Sequence, residues 1–257
     1  GLIYCSISGF GRDVPRAGYD LVLQGMGGIP SITGEVDGEP AKCGASIADL
    51  VSGQNAVQGI LAALVRRERT GEGALIDIPM IDGQVALLTY HAGGLLNGGV
   101  TPRRLGNHHP SIHPYGAYPA RDASLNIAVG NDALFVRFSK VLGKPEWASD
   151  PRFSSNAARV AHREALDPMI VEILAARSAD EWCDTLSTAG IPAGPINTVE
   201  QALELVELVE HAHPSGTGSL RSAPLPVRIS DAPRAAERRP PNLGEHTSEV
   251  LTEWGVD

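Results

Sequence analysis

The chain has 257 residues, 42% apolar and 20% charged, a composition that suits one large folded domain or two modest ones and not a chain disordered as a whole. Its 30 acids against 21 bases give a net charge of -9, which argues against nucleic acid or an anionic membrane as the main partner. No stretch approaches the ~20 consecutive apolar residues of a membrane helix, and Cys5, Cys43 and Cys183 contain no C-x-x-C pair, so neither a disulfide framework nor a zinc site is signalled and a reducing cytoplasm is expected.

Residues 1–8, GLIYCSIS, alternate like a β-strand from the second residue. A strand this apolar has neighbours in a sheet, and further sequence upstream is expected. The turn Gly9-Phe10-Gly11 allows close approach to a ligand. A Gly-rich region follows, with GMGG at 25–28 and turn signals at 36–40. Over residues 54–67, Val57, Ile60, Leu61, Leu64 and Val65 recur at helical spacing. Arg66, Arg67 and Arg69 suit the C-terminal end of that helix, and Gly71 and Gly73 stop it. A strand at 74–78 and a helix at 80–96 complete an alternation that predicts an α/β fold.

Residues 97–119 are rich in Gly, Pro and His and read as a linker carrying a functional loop. A second unit begins near Ser111, with a strand at 125–129 and helices at 134–141, 167–176, 179–189 and 199–209. Between the last two lies a connector at 191–195. Residues 214–241, heavy in Pro, Ser, Ala and Arg, read as extended linking chain, and a final helix spans 247–254.

The stretch ASIADLVSG at 45–53 sets Asp49 among small and apolar residues just before the first long helix. Asp is a preferred helix cap, and Ser52 offers an alternative cap nearer Gln54. The competing reading of Asp49 is a carboxylate nucleophile with room beside it for a substrate. His108, His109 and His113 match no standard zinc spacing, so no metal is expected. Neither G-x-G-x-x-G before a helix nor G-x-S-x-G occurs, which removes a Rossmann dinucleotide fingerprint and a serine-hydrolase elbow.

Seven ordered blocks then converge: LIYCSISGFG, AGYDLVLQGMGG, GASIADLVSGQNAVQGILAALVRRERTGEGALIDIPMID, HPSIHPYGAYPARD, VGNDALFVRF, LGKPEWASDPRFSSNAARV and LGEHTSEVL. Together they resemble the class III CoA-transferases, the formyl-CoA transferase and carnitine CoA-transferase-like family, over essentially the whole chain. The resemblance implies a Rossmann-like large domain, of which residues 1–96 form the C-terminal portion. It further implies a linker and active-site loop at 97–110, a small α/β domain at 111–195, and a linker and helix at 196–257 returning to the large domain. It implies an intertwined homodimer, a CoA thioester as substrate, and no tightly bound cofactor. Its nucleophilic aspartate falls on Asp49. Phe10, Gly11, Arg16, Ala17, Gly18, Tyr19 and Gln24 fall where the family lines its CoA and acyl pocket. Gly106, Asn107, His109 and His113 fall at the substrate loop, with backbone N–H groups around Gly106 and Asn107 as candidate oxyanion donors. The related racemases carry a histidine where this chain has Tyr19, whose reference pKa near ~10 suits proton exchange poorly, so transfer is expected over racemisation. A non-catalytic CoA-binding fragment is the other alternative. LGNHHP replaces the glycine run of the formyl-CoA transferases, which counts against formyl-CoA and oxalate as the pair.

Overall fold

A computed structural model describes residues 1–231 and 239–256. The chain divides into two compact units, Gly1–Gly194 and Pro195–Asp257. The fold is mixed α/β, and no helix among the described residues is long and apolar enough to cross a membrane.

In the first unit, β1 (Ile3–Ser8) pairs in parallel with β2 (Ala74–Pro79), in register from Ile3 opposite Ala74 to Ser8 opposite Pro79. Parallel neighbours need a long crossover, and here it contains α1 (Asp20–Met26), α2 (Ile29–Ile32) and the 24-residue α3 (Ile47–Thr70). Helix α3 runs further at both ends than its large apolar residues suggest, and it turns a different face inward. Ala48, Ser52, Ala56 and Ala63 are the buried positions, whereas Val57, Leu61 and Val65 are more than half exposed. Small side chains let the helix lie close to the strands: a Cβ on Gly59 would come within 3.1 Å of the Ile76 side chain. Gly71, at φ +72°, ends the helix with its N–H on the Arg67 carbonyl.

The helix expected over residues 80–96 is two, α4 (Met80–Ala86) and α5 (Thr89–Gly98). Between them the Leu88 N–H bonds to Val85 and the His91 N–H to Leu88, a tighter spacing than the α-helical ladder, and Thr89 sits at φ +38°. The positive φ interrupts the helix at a residue whose β-branched side chain disfavours it, although the apolar pattern runs through this point.

Further along the same unit, β3 (Tyr115–Pro119) and β4 (Ser124–Ala128) form an antiparallel hairpin joined on the β4 side by β5 (Ala193–Pro195). Tyr118, Leu125 and Ile127 face inward at two-residue spacing, and the intervening residues face out. Helices cover that face at their own period: α6 (Asp132–Val141) contributes Phe135 and Phe138, α8 (Arg163–Leu174) Leu166, Ile170 and Leu174, and α9 (Ala179–Thr188) Ala179, Trp182 and Leu186. Before α8 lies α7 (Asn156–Ala161). Its Arg159 is fully buried yet satisfied, donating to the carbonyls of His113 at 2.7 Å and Phe153 at 2.9 Å and to Asp132 at 2.8 Å. Neither β3 nor α1 announces itself in the apolar pattern.

In the second unit, α10 (Val199–Glu204) opens on a capping box between Thr198 and Gln201. It stops short of the helix expected to residue 209, because Val209 begins β6 (Val209–Ala212), which pairs antiparallel with β7 (Ser219–Ser222). The stretch expected as linking chain therefore holds a strand, and its residues 232–238 lie outside the described residues. The last helix, α11 (Thr247–Trp254), ends at Gly255, φ +61°.

Phe138 fills the centre of the larger core with no exposed surface. Phe138→Ala is expected to lower unfolding free energy by about 3–5 kcal/mol, read by denaturant titration; a loss under about 1 kcal/mol would mean that this core is not packed as described.

Candidate functional site

Asp49 is the third residue of α3, where a side chain would ordinarily serve the exposed N–H groups of the first turn. It does not. Ser46 stands at the N-cap position and makes no capping bond either. The Ala48 N–H is instead accepted by Asp20 Oδ1, from the first residue of α1, at 3.0 Å. Asp20 Oδ2 accepts from Gln24 Nε2 at 2.8 Å. Gln24 Oε1 in turn accepts from the Cys43 N–H at 2.8 Å, and its Nε2 also reaches the Ala45 carbonyl at 3.3 Å. Gln24 has no exposed surface, so this amide ties the segment ahead of α3 to α1 within the protein. Ser52, the alternative cap, lies a turn inside the helix and donates to the Ala48 carbonyl at 2.7 Å. The Asp49 carboxylate is exposed and has no hydrogen bond or ion pair among the described residues.

Several of the other sequence-predicted residues gather at the same place. Phe10 packs against Leu23, Ala48 and Met80, which brings the β1 turn to the start of α3. Arg16 stacks over the Phe10 ring at 4.4 Å and donates to the Met26 sulfur at 3.2 Å, and it has no carboxylate partner among the described residues. Gly11 adopts φ +102°, and its N–H meets the Ser8 hydroxyl. Gly18 presses on Gly9 so closely that a Cβ there would lie 2.9 Å from the Gly9 Cα. Ala17 is exposed, and Tyr19, ahead of α1, is 80% exposed.

Gly106, Asn107 and His109 form a second group. Gly106, at φ +56°, donates its N–H to the Gly34 carbonyl at 3.0 Å, so that donor is occupied in this conformation. Arg104 anchors the same loop to the carbonyls of Glu35 and Gly38, the latter at 2.7 Å. His109 lies between Tyr90 and Tyr115, ring centroids 5.1 and 5.2 Å away. Its Nδ1 accepts from the Ser111 N–H at 3.1 Å, which leaves Nε2 as the ring donor. Burial first, then His91 and Arg163, holds its pKa below 6.5. Gly106, Asn107 and His109 line one cavity of about 300 Å³ together with Tyr90, His91 and Arg103.

His113 stands apart from that cavity. It has no exposed surface, its Nε2 lies 3.3 Å from Asp167 Oδ1, and burial, assisted by Arg163, His108 and Arg159, pulls its pKa down to about 3. Asp167 also accepts from the Tyr118 hydroxyl at 3.0 Å, and burial raises its pKa. His108, His113 and Asp167 bring three donor atoms within 4.8 Å of one another, a grouping that a divalent cation could use. The expectation of no metal rested on spacing along the chain, which cannot register an acid 54 positions after His113. Asp20 is the other residue that the sequence reading passed over. Its signal was present, since Asp20 and Gln24 stand at helical i, i+4 spacing.

The sequence pattern of CoA-transferase family III matches residues 1–247. A succinate–glutarate CoA-transferase of Agrobacterium fabrum is 40% identical over 98% of this chain and 65% of its own length. An acetyl-CoA:oxalate CoA-transferase of Acetobacter aceti is 38% identical over 99% of this chain and 67% of its own. Among solved structures, a CaiB/BaiF family protein from Brucella suis superposes with a TM-score of 0.77 at 41% identity, covering 98% of this chain and 68% of that one. The chain thus spans between 58% and 67% of the length of the curated relatives it matches.

Removing each of the two aspartates should separate their work. Asp20→Ala strips the α3 cap and is expected to cost about 1–2 kcal/mol, whereas Asp49→Ala should leave thermal stability within about 0.5 kcal/mol of wild type; calorimetry of both variants checks this. The His113 environment predicts a pH effect. Its folded pKa of about 3 lies below the ordinary 6.5, so between those values the unfolded chain takes up a proton that the folded chain refuses. His113 therefore takes stability away as pH falls through that window, while the raised pKa of Asp167 acts in the opposite sense above 3.8. His113→Gln should flatten the loss of stability measured from pH 6.5 downwards; an unchanged slope would contradict the burial argument.

Proposed function

Because the chain belongs to CoA-transferase family III, we propose that it moves CoA from an acyl-CoA donor to a carboxylic acid, with Asp49 as the nucleophile. One observation carries this reading: the capping duty at the start of α3 is met by Asp20, which leaves a second carboxylate at that helix end exposed and unpaired among the described residues. That carboxylate stands in the first turn of a 24-residue helix, whose N-terminal end attracts negative charge.

In the proposed reaction an Asp49 oxygen attacks the donor thioester carbonyl. Collapse of the tetrahedral adduct breaks the C–S bond, expels CoA thiolate and leaves an acyl-aspartyl anhydride. The thiolate then attacks the aspartyl carbonyl, which releases the donor acid as its carboxylate and forms an aspartyl-CoA thioester. An acceptor carboxylate attacks that thioester to give a new anhydride and thiolate. Attack of the thiolate on the acceptor's carbonyl yields the new acyl-CoA and restores Asp49. Each intermediate is an anhydride or a thioester and so conserves the energy of the donor thioester, which means that the exchange needs no further cofactor and depends on excluding water. Each oxyanion needs N–H donors. With the Gly106 N–H engaged by Gly34, the Asn107 N–H is the donor of that loop left without a partner among the described residues.

Phe10, Gly11, Arg16, Ala17, Gly18 and Tyr19 line the CoA and acyl side in this reading, and Asn107 and His109 face the acid. Gln24 acts by holding the segment before α3. The names of the relatives, with succinate, glutarate and oxalate as acids, support small dicarboxylates as substrates. Tyr19, where proton exchange would call for a group titrating near neutrality, favours transfer over racemisation. A cytoplasmic, intertwined homodimer belongs to the same proposal. The exposed apolar residues Leu2, Tyr4, Leu61 and Leu75, on β1, its approach, α3 and β2, support burial against further protein surface.

The chain incubated with succinyl-CoA and glutarate should exchange CoA, and its mass spectrum should show a CoA-sized adduct on the peptide bearing Asp49. Asp49→Ala should lose the adduct and about a thousandfold or more in exchange rate while keeping its melting temperature. Exchange that persists in this variant would sink the assignment.

A further inference from the structure

A cavity of about 480 Å³ lies beside the Gly106–His109 loop, within the size range of small-molecule sites. Val100, Pro102, Leu105 and Val160 give it apolar walls, and Arg103 and Arg163 supply its two cations. It shares Tyr90, His91, Arg103 and Leu105 with the smaller cavity that Gly106, Asn107 and His109 line, so the two spaces adjoin. Arg163, the first residue of α8, is half-buried and uses one Nη2–H on the His109 carbonyl at 2.9 Å. Neither arginine has a carboxylate partner among the described residues, although the chain carries nine more acids than bases. Two guanidinium groups left without a carboxylate in an acidic protein, at the wall of a space that also carries Val100, Pro102, Leu105 and Val160, fit an anion that arrives with a ligand. The apolar lining suits a methylene chain.

We propose that Arg103 and Arg163 bind the distal carboxylate of a dicarboxylic substrate, the end that does not react, and so select dicarboxylates over monocarboxylates of the same chain length. This rests on the transferase reading for the identity of the ligand, and it goes beyond that reading in naming the residues that discriminate among acids. The carboxylate at the other end of the ligand then points along the adjoining cavity towards Asn107 and His109. A guanidinium pair would equally accept a phosphate of CoA, so the test separates the two sources.

The test is direct binding to the full chain by calorimetry, with glutarate, pentanoate and CoA as probes, and needs no turnover. Wild type is expected to bind glutarate more tightly than pentanoate. Arg103→Gln, which removes an exposed side chain without a hydrogen bond of its own, should weaken glutarate about 10- to 100-fold and leave pentanoate, CoA and the melting temperature unchanged. Arg163→Gln should do the same to glutarate, and Arg163→Lys should restore part of the loss. Equal affinity for glutarate and pentanoate, no measurable glutarate binding, or variants that weaken CoA while sparing glutarate would each overturn the proposal. Asp49→Ala should bind glutarate as wild type does. If this binding pattern holds but no CoA exchange is found, the transferase reading fails and the carboxylate site stands.

Discussion

The start of α3 is held by a carboxylate from another helix. Asp20 accepts the Ala48 N–H with one oxygen and the Gln24 amide with the other, and Gln24 closes on the backbone at Cys43 and Ala45. A buried amide without partners costs free energy, and here the oxygen and the N–H groups of the fully buried Gln24 are taken up within the protein. One consequence is geometric: the loop, α1 and the first turn of α3 are joined through one buried amide and one carboxylate. The other is chemical. Capping from outside leaves Asp49 without a structural duty at the place where the helix field favours a negative charge.

Small residues do the corresponding work along the rest of the helix. Ala48, Ser52, Ala56 and Ala63 face inward, Gly59 lies against Ile76, and Gly9 and Gly18 touch backbone to backbone. Close approach brings the turn after β1, with Phe10 and Arg16, onto the same helix end. The large apolar residues of α3 are thereby turned outward, an arrangement that suits burial against further protein and not against the β1–β2 pair.

The hairpin and helices after Tyr115 follow the opposite logic, with large side chains interlocked around Phe135, Phe138 and Trp182. Charge at that core is either paired or suppressed. Arg159 finds two carbonyls and a carboxylate, and His113 stays neutral beside Asp167 because burial suppresses its protonation. His109, four residues earlier, stays at a cavity wall between two tyrosines. Two histidines that look equivalent along the chain thus meet different dielectric surroundings.

The sequence by itself determined what depends on local pattern and on ordered blocks. The family, the α/β class, β1 and β2, the middle of α3, α6, α9 and α11, and the place of Asp49 ahead of a long apolar-periodic segment all follow from periodicity, stop signals and residue order. Tertiary structure decided what depends on distant partners. It set which face of α3 is inside, the break at Thr89, the strand at Val209 and the closing of Gln24 on the loop before α3. It also brought Asp167 to His113 and Arg163 to the loop carrying His109. Each of these rests on a contact with residues elsewhere in the chain or on a backbone angle, and neither leaves a periodic trace. The role of Asp49 shows the division most plainly: its position is written in ASIADLVSG, but its freedom from capping is conferred by Asp20, 29 residues earlier.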